Sequence, residues 1–144
     1  MRYDTRMPDN IVIDTNVLVA ALRSRNGASF RLLSTIDDGK SLLHLSTPLV
    51  MEYEEVLKRK VEALTAEEVD DVIDYLCSIA RHHRIFYLWR PVLRDPDDDF
   101  LLELAVKAGA AIITHNKKDF AKAGSFGIAV YTPGEYLAAK GVKP

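Results

Sequence analysis

Carboxylates and small polar residues recur in this chain at one kind of place, just where an apolar run gives out. Asp14, Thr15 and Asn16 follow Ile11-Val12-Ile13, and Glu52 comes shortly after the apolar run Leu42 to Leu45. Asp95-Pro96-Asp97-Asp98-Asp99 precede a helical stretch, while Asn116 and Asp119 follow Ala111-Ile112-Ile113-Thr114. In an open α/β sheet, groups at the carboxyl ends of strands meet in one crevice. Carboxylates gathered there repel one another and raise each other's pKa unless a cation neutralises them. Oxygen donors of this kind suit Mg²⁺ or Mn²⁺, which can activate a water and stabilise charge on a phosphate. The reaction class this points to is hydrolysis of a phosphodiester.

Taken singly, each acid has an ordinary structural use. Asp14 can cap a helix, Glu52 beside Glu54 and Glu55 can be a solvated helix residue, and the run 95–99 can complement a helix dipole. Asp119 can sit in a surface turn. Their common phase relative to the strands is what argues for a site.

The elements that would position these groups alternate strand with helix. Asn10 to Asp14 is a short strand apolar on both faces, as in a covered parallel sheet. Helical spacing follows over Val17 to Ala21 and Phe30 to Ile36, and Leu42 to Leu45 has strand length. Thr47 as cap and Pro48 as first helical residue start a helix running to about Lys60. Thr65 and Glu68 have capping-box spacing and open a helix through about His82. Ile85 to Leu88 reads as a strand, and 95–99 as a turn before a helix from Phe100 to Ala108, closed by Gly109. Ala111 to Thr114 and Ile128 to Tyr131 complete the strands, and a short helix follows Pro133-Gly134. The expected fold is a three-layer α/β/α sandwich with a short, mainly parallel central sheet, residues 1–144 forming one domain.

Composition narrows the function classes. The 144 residues are 48% hydrophobic with a net charge of -2, so nucleic-acid contact has to come from local basic clusters rather than overall charge. Arg23, Arg25, Lys117 and Lys118 border the acidic motifs, and Arg81-His82-His83-Arg84 is a further cluster; such groups give salt-dependent phosphate affinity. Tyr87 and Trp89 can stack on bases or pack beside the sheet. The single Cys77 rules out an intramolecular disulfide and a cysteine-rich zinc site. No segment has the length of a membrane span and the first ten residues lack the apolar core of a signal peptide, so a cytoplasmic protein is expected.

The stretches IVIDTNVLVAAL (11–22), LSTPLVMEYEEVL (45–57), LRDPDDDFLLELAVKAGAAIITHNKKDF (93–120) and VYTPGEYL (130–137) together make the chain similar to the PIN-domain family, and within it to the VapC-like toxin branch. The resemblance implies a Mg²⁺- or Mn²⁺-dependent ribonuclease, a homodimer inhibited by a cognate antitoxin. It places Asp14 as the first family acid, Glu52 as the second and Asp98 as the third, with Asp97 as the near alternative. Thr15, Asn16 and Thr114 correspond to the polar residues that hold the acids. The sequence departs from the pattern at Asn116, where many members carry Asp; Asn116 can offer a carbonyl oxygen, and Asp119 can serve in its place. That change leaves a second reading open, a PIN fold that binds RNA or protein without cutting. A third is a haloacid-dehalogenase-like phosphohydrolase, whose second acid would stand where this chain has Asn16.

Overall fold

β1 (Asp9–Ile13) is the strand on which the rest is built, and its apolar core explains why. Ile11, Val12 and Ile13 are at most 1% exposed. Successive side chains point to opposite faces, so burial of all three requires a layer on each side. β1 pairs in parallel with β2 (Ser41–Ser46) on one edge and β4 (Ala111–Ile113) on the other. β3 (Arg81–His83) and β5 (Val130–Tyr131) extend the sheet outward, giving the order β3-β2-β1-β4-β5, parallel throughout. The computed structural model describes residues 8–85 and 96–142, and for residues 96–98 the backbone alone.

The helices are α1 (Thr15–Arg23), α2 (Ala28–Asp37), α3 (Thr47–Lys60), α4 (Ala66–Ile79), α5 (Pro96–Ala108) and α6 (Pro133–Ala139). The chain moves one way from β1 to β2 to β3 and then crosses back to β4. Right-handed crossovers put the helices of the outward steps on one face and α5, on the return, on the other. The packing agrees: α1 touches α2 and α3, α3 touches α4, α2 touches α6, and α5 lies against β1, β2 and β4. This is the expected α/β/α sandwich, with six helices around a fully parallel sheet among the described residues. The strand order reverses between β1 and β4, and the carboxyl ends at that seam face a crevice.

Several boundaries differ from expectation for identifiable reasons. The capping box at Thr65 is present in both directions, with Glu68 N–H to Thr65 Oγ1 at 3.1 Å and Thr65 N–H to Glu68 Oε1 at 3.0 Å, which contributes about 1 kcal/mol. The helix it opens stops at Ile79, not His82. Arg81, His82 and His83 instead pair with His44, Leu45 and Ser46 of β2. Of the expected strand Ile85 to Leu88, Ile85 is outside any strand, and the rest, with Tyr87, lies outside the described residues, as does Trp89. The N-cap position of α3 falls on Ser46, whose side chain makes no capping bond, so Thr47 is the first helical residue rather than the cap, and Pro48 still falls in the first turn. α5 starts at Pro96, which places Asp97, Asp98 and Asp99 in the first helical turn instead of a turn before it. Proline is accepted there because that position has no intrahelical N–H bond to lose. A second capping box, Thr132 with Glu135, starts α6.

A side-chain bridge helps to explain why the three-residue β3 joins the sheet. His44, buried on β2, has Nδ1 2.7 Å from Nε2 of His83, and its own Nε2 2.9 Å from Asn10 Oδ1. Three adjacent strands are thus tied by a chain in which one of the two facing ring nitrogens must be unprotonated, so the rings cannot both be charged. Burial pushes the His44 pKa down, helped by the positive charge of His83 and Arg81. Burial also lowers that of His83, with Lys107 and His82 adding to it. A base with a depressed folded pKa contributes stability above its unfolded value, here 6.5, and loses it as pH falls below that value. The thermal midpoint should therefore drop as pH is lowered from neutral toward the mid-fives, and a His44→Gln/His83→Gln variant should show a shallower drop. Equal slopes in a pH series of melts would remove the pair as the cause.

Candidate functional site

The site starts at the end of β1. The backbone N–H of Asp14 donates to Ile113 O at 2.9 Å, carrying the β1–β4 pairing one residue into the crevice. Asp14 stands at the N-cap of α1, yet its side chain makes no capping bond. Its Oδ2 accepts instead from Thr114 Oγ1 at 2.7 Å, across the seam. Thr114 is fully buried, and its hydroxyl oxygen also accepts the Asn116 N–H at 3.0 Å. A hydroxyl has one proton to give. With that proton on Asp14 and a lone pair on Asn116, Thr114 holds one orientation and fixes both neighbours.

Glu52 reaches the same crevice from α3. Thr15 Oγ1 donates to Glu52 Oε2, joining the starts of α1 and α3. The next residue, Tyr53, is buried and its hydroxyl donates to Ile13 O, so α3 is pinned to the last residue of β1. Beyond β4, the chain enters a 3-10 turn at Lys117–Phe120, started by Asp119 N–H to Asn116 O at 3.0 Å and anchored by buried Phe120. His115 N–H contacts Asn16 Oδ1 at 3.4 Å, and the His115 ring lies 3.2 Å from Ser29 Oγ.

The electrostatics mark these groups as neighbours. Burial pushes the Asp14 carboxyl up; the Thr114 hydroxyl and Thr15 backbone pull it down, the Asp119 charge raises it and His115 lowers it. The Tyr53 hydroxyl is driven well up by burial and by the charges of Asp14 and Glu52. The structure thus brings Asp14, Thr15, Asn16, Glu52, Thr114, Asn116 and Asp119 to one crevice from three separate stretches of chain. The side chains of Asp97 and Asp98 lie outside the described residues. Among the described residues no three His, Cys, Asp or Glu side chains stand close enough to hold a metal by themselves.

The basic candidates separate. Arg23 ends α1 and donates to Lys60 O at 2.6 Å, while Arg25 is exposed in the turn that follows. Lys117 is held by Glu135 at 3.1 Å, and Lys118 is exposed. His82, His83 and Arg84 face Glu52 across a cleft of about 1040 Å³ between α3 and β3, which also carries Glu54 and Glu55. Two residues of the site went unread in the sequence. Tyr53 had a signal, since Leu49, Tyr53 and Leu57 are spaced by four and mark the buried face of α3. His115, exposed beside the strand end, had none.

A family model described as a PIN domain matches residues 10–118. The chain belongs to the PIN-domain family. No curated protein sequence matches it significantly. Among solved structures, a chain of VapBC2 from Rickettsia felis, bound to a DNA fragment from its promoter, aligns with a TM-score of 0.61 at 14% identity, covering 84% of this chain and 96% of the other. A chain of VapBC-1 from nontypeable Haemophilus influenzae aligns at 0.59 and 15% identity, covering 86% and 98%. One from FitAB bound to the IR36 DNA fragment aligns at 0.56 and 16%, covering 85% and 94%. At these identities the likeness is one of fold. In this PIN domain Asp14 lies at the β1–β4 seam, and Thr15 beside it holds Glu52 of α3.

An acid whose folded pKa is raised contributes stability at low pH and loses it as pH rises through that value. Replacing Asp14 by its neutral isostere removes that loss, and the Asn oxygen can still accept from Thr114. In EDTA at pH 7, Asp14→Asn should melt above the parent, and the gap should close as pH falls below the ordinary carboxylate value of 3.8. A variant that melts lower at pH 7 would show that the ionised carboxylate stabilises the fold.

Proposed function

We propose that this PIN domain is a Mg²⁺- or Mn²⁺-dependent endoribonuclease, one domain over residues 1–144, acting in the cytoplasm as the toxin of a toxin–antitoxin pair. The observation that carries the reading is the buried Asp14 carboxylate, oriented by Thr114 at the seam and facing Asp119 and the Thr15-held Glu52. Burial does most to raise the Asp14 pKa and the Asp119 charge adds to it, and a bound cation would offset both. The donors are all oxygen, which fits a hard divalent ion rather than a soft one. Asp14, Glu52 and Asp98 would hold it, with Asp97 and Asp119 as further carboxylates and Asn116 offering a neutral carbonyl. When bound, such an ion supplies a water of lowered pKa and stabilises charge on the phosphate. The chain's own part is positional: Thr15 and Thr114 fix the two carboxylates before substrate arrives. Arg23, Arg25, Lys117 and Lys118 are the candidates for phosphate contact.

The toxin role, the antitoxin partner and a homodimer rest on the resemblance to the VapC-like branch, supported by the fold shared with chains of VapBC2, VapBC-1 and FitAB. The PIN-domain match lends nothing to a haloacid-dehalogenase-like phosphohydrolase. Asn116 favours one second reading, a PIN fold that binds RNA or a partner protein without cutting.

Incubation of purified protein with mixed single-stranded RNA in Mn²⁺, Mg²⁺ or EDTA decides between them. Cutting should require the metal and fall at least about 100-fold in Asp14→Asn; Thr114→Val, which leaves the acid but not its orientation, should cost about 10–100-fold. RNA that stays bound but intact in every metal would support the binding module and sink the nuclease.

A further inference from the structure

A cleft of about 560 Å³ follows the contact between α1 and α3, and its lining changes from one end to the other. Thr15, Asn16 and Glu52 stand at the first end, within the candidate site. Val19, Ala20 and Val56 form an apolar floor. Arg23, Ser24 and Lys60 close the far end. By the helical rise, Arg23 lies about 12 Å along α1 from Thr15, too far to share the phosphate that Glu52 addresses.

The cations at the far end are poised rather than spent. Lys58, Arg59 and Lys60 end α3, and the first two are engaged: Lys58 with Glu54 and Asp70, both at 2.9 Å, and Arg59 with Glu55 at 3.9 Å. Among the described residues no ion pair involves Arg23 or Lys60. Arg23 is held in place by its bond to Lys60 O, which uses one of its five donors and no carboxylate. The wider cleft on the other side of α3 mixes Glu54 and Glu55 with its basic wall. Between α1 and α3, Glu52 is the only carboxylate in the lining among the described residues.

We propose that this cleft is a subsite for the RNA strand flanking the scissile bond, Arg23 and Lys60 taking a phosphate beyond the reacting one while the intervening nucleotide lies over Val19, Ala20 and Val56. The inference rests on the ribonuclease reading and adds to it where the strand runs and which two cations hold it. A polyanion suits this charge arrangement, because its reacting phosphate meets the acid end and its next phosphates meet unpaired cations.

The test is fluorescence anisotropy with a labelled oligouridylate across a salt series in EDTA, so that binding is read without cutting. Arg23→Gln/Lys60→Gln should bind roughly tenfold more weakly at low salt, with the log–log salt slope reduced by about 1.4, since each cation on a single strand accounts for about 0.7. Lys60→Gln alone keeps the carbonyl that holds Arg23, so it tests the subsite without loosening the α1–α3 contact, and should reduce the slope by about 0.7. Arg59→Gln removes the same charge one residue away, already engaged by Glu55, and should leave affinity within about twofold. If the parent binds and cuts RNA while both cleft variants behave like Arg59→Gln, the subsite is overturned and the nuclease reading stands. If the parent binds no oligouridylate and cuts no RNA, the functional reading falls and takes the subsite with it.

Discussion

The hydrogen bond from Thr114 to Asp14 is the constraint on which the candidate site depends. It spans the one place in the sheet where neighbouring strands run to opposite edges, and it joins residues a hundred positions apart in the chain. Placing a carboxylate there costs its desolvation, and the Thr114 hydroxyl and the Thr15 backbone work against that cost. Thr114 donates its only proton to Asp14 and takes its own constraint from Asn116, Tyr53 braces α3 against Ile13, and Thr15 sets Glu52. Neutral hydroxyls do the orienting. Asp14 and Glu52 each take their orientation from a threonine hydroxyl, which leaves further carboxylate oxygen lone pairs to ligate a cation.

That arrangement also accounts for the uneven legibility of the sequence. The seam could be read in advance because each of its parts follows a local rule: an apolar strand buried on both faces, a polar break at its end, and a helix thereafter. What failed was local structure decided by distant partners. Arg81 to His83 continue the pattern of α4 well enough to pass for its last turn, and only parallel pairing with β2 and the ring of His44 make them a strand. The acidic run read as a turn because aspartate and proline favour turns, and the same residues also suit a first helical turn. Tyr53 and His115 were passed over because their significance lies in what they touch.

Two buried polar atoms stand outside this scheme. Ser46 Oγ, at the N-cap of α3, and Glu103 Oε2, on α5, have no hydrogen-bond partner among the described residues. Burial raises the pKa of Glu103, and the Lys107 charge one turn on works against that rise. A carboxyl held toward its neutral form can donate as well as accept.

Glu135 serves two structures with one carboxylate. Its oxygens accept the Thr132 N–H that starts α6 and grip Lys117 at the head of the turn carrying Asp119, and both contacts hold its pKa down. The final helix is therefore not a passive tail. It acts as a guy-line on the loop that completes the acidic crevice, and a residue exchanged at Glu135 would be felt both as a frayed helix start and as a slackened loop. Drift of α6 is restrained in turn from the crevice side of that loop, through Lys117.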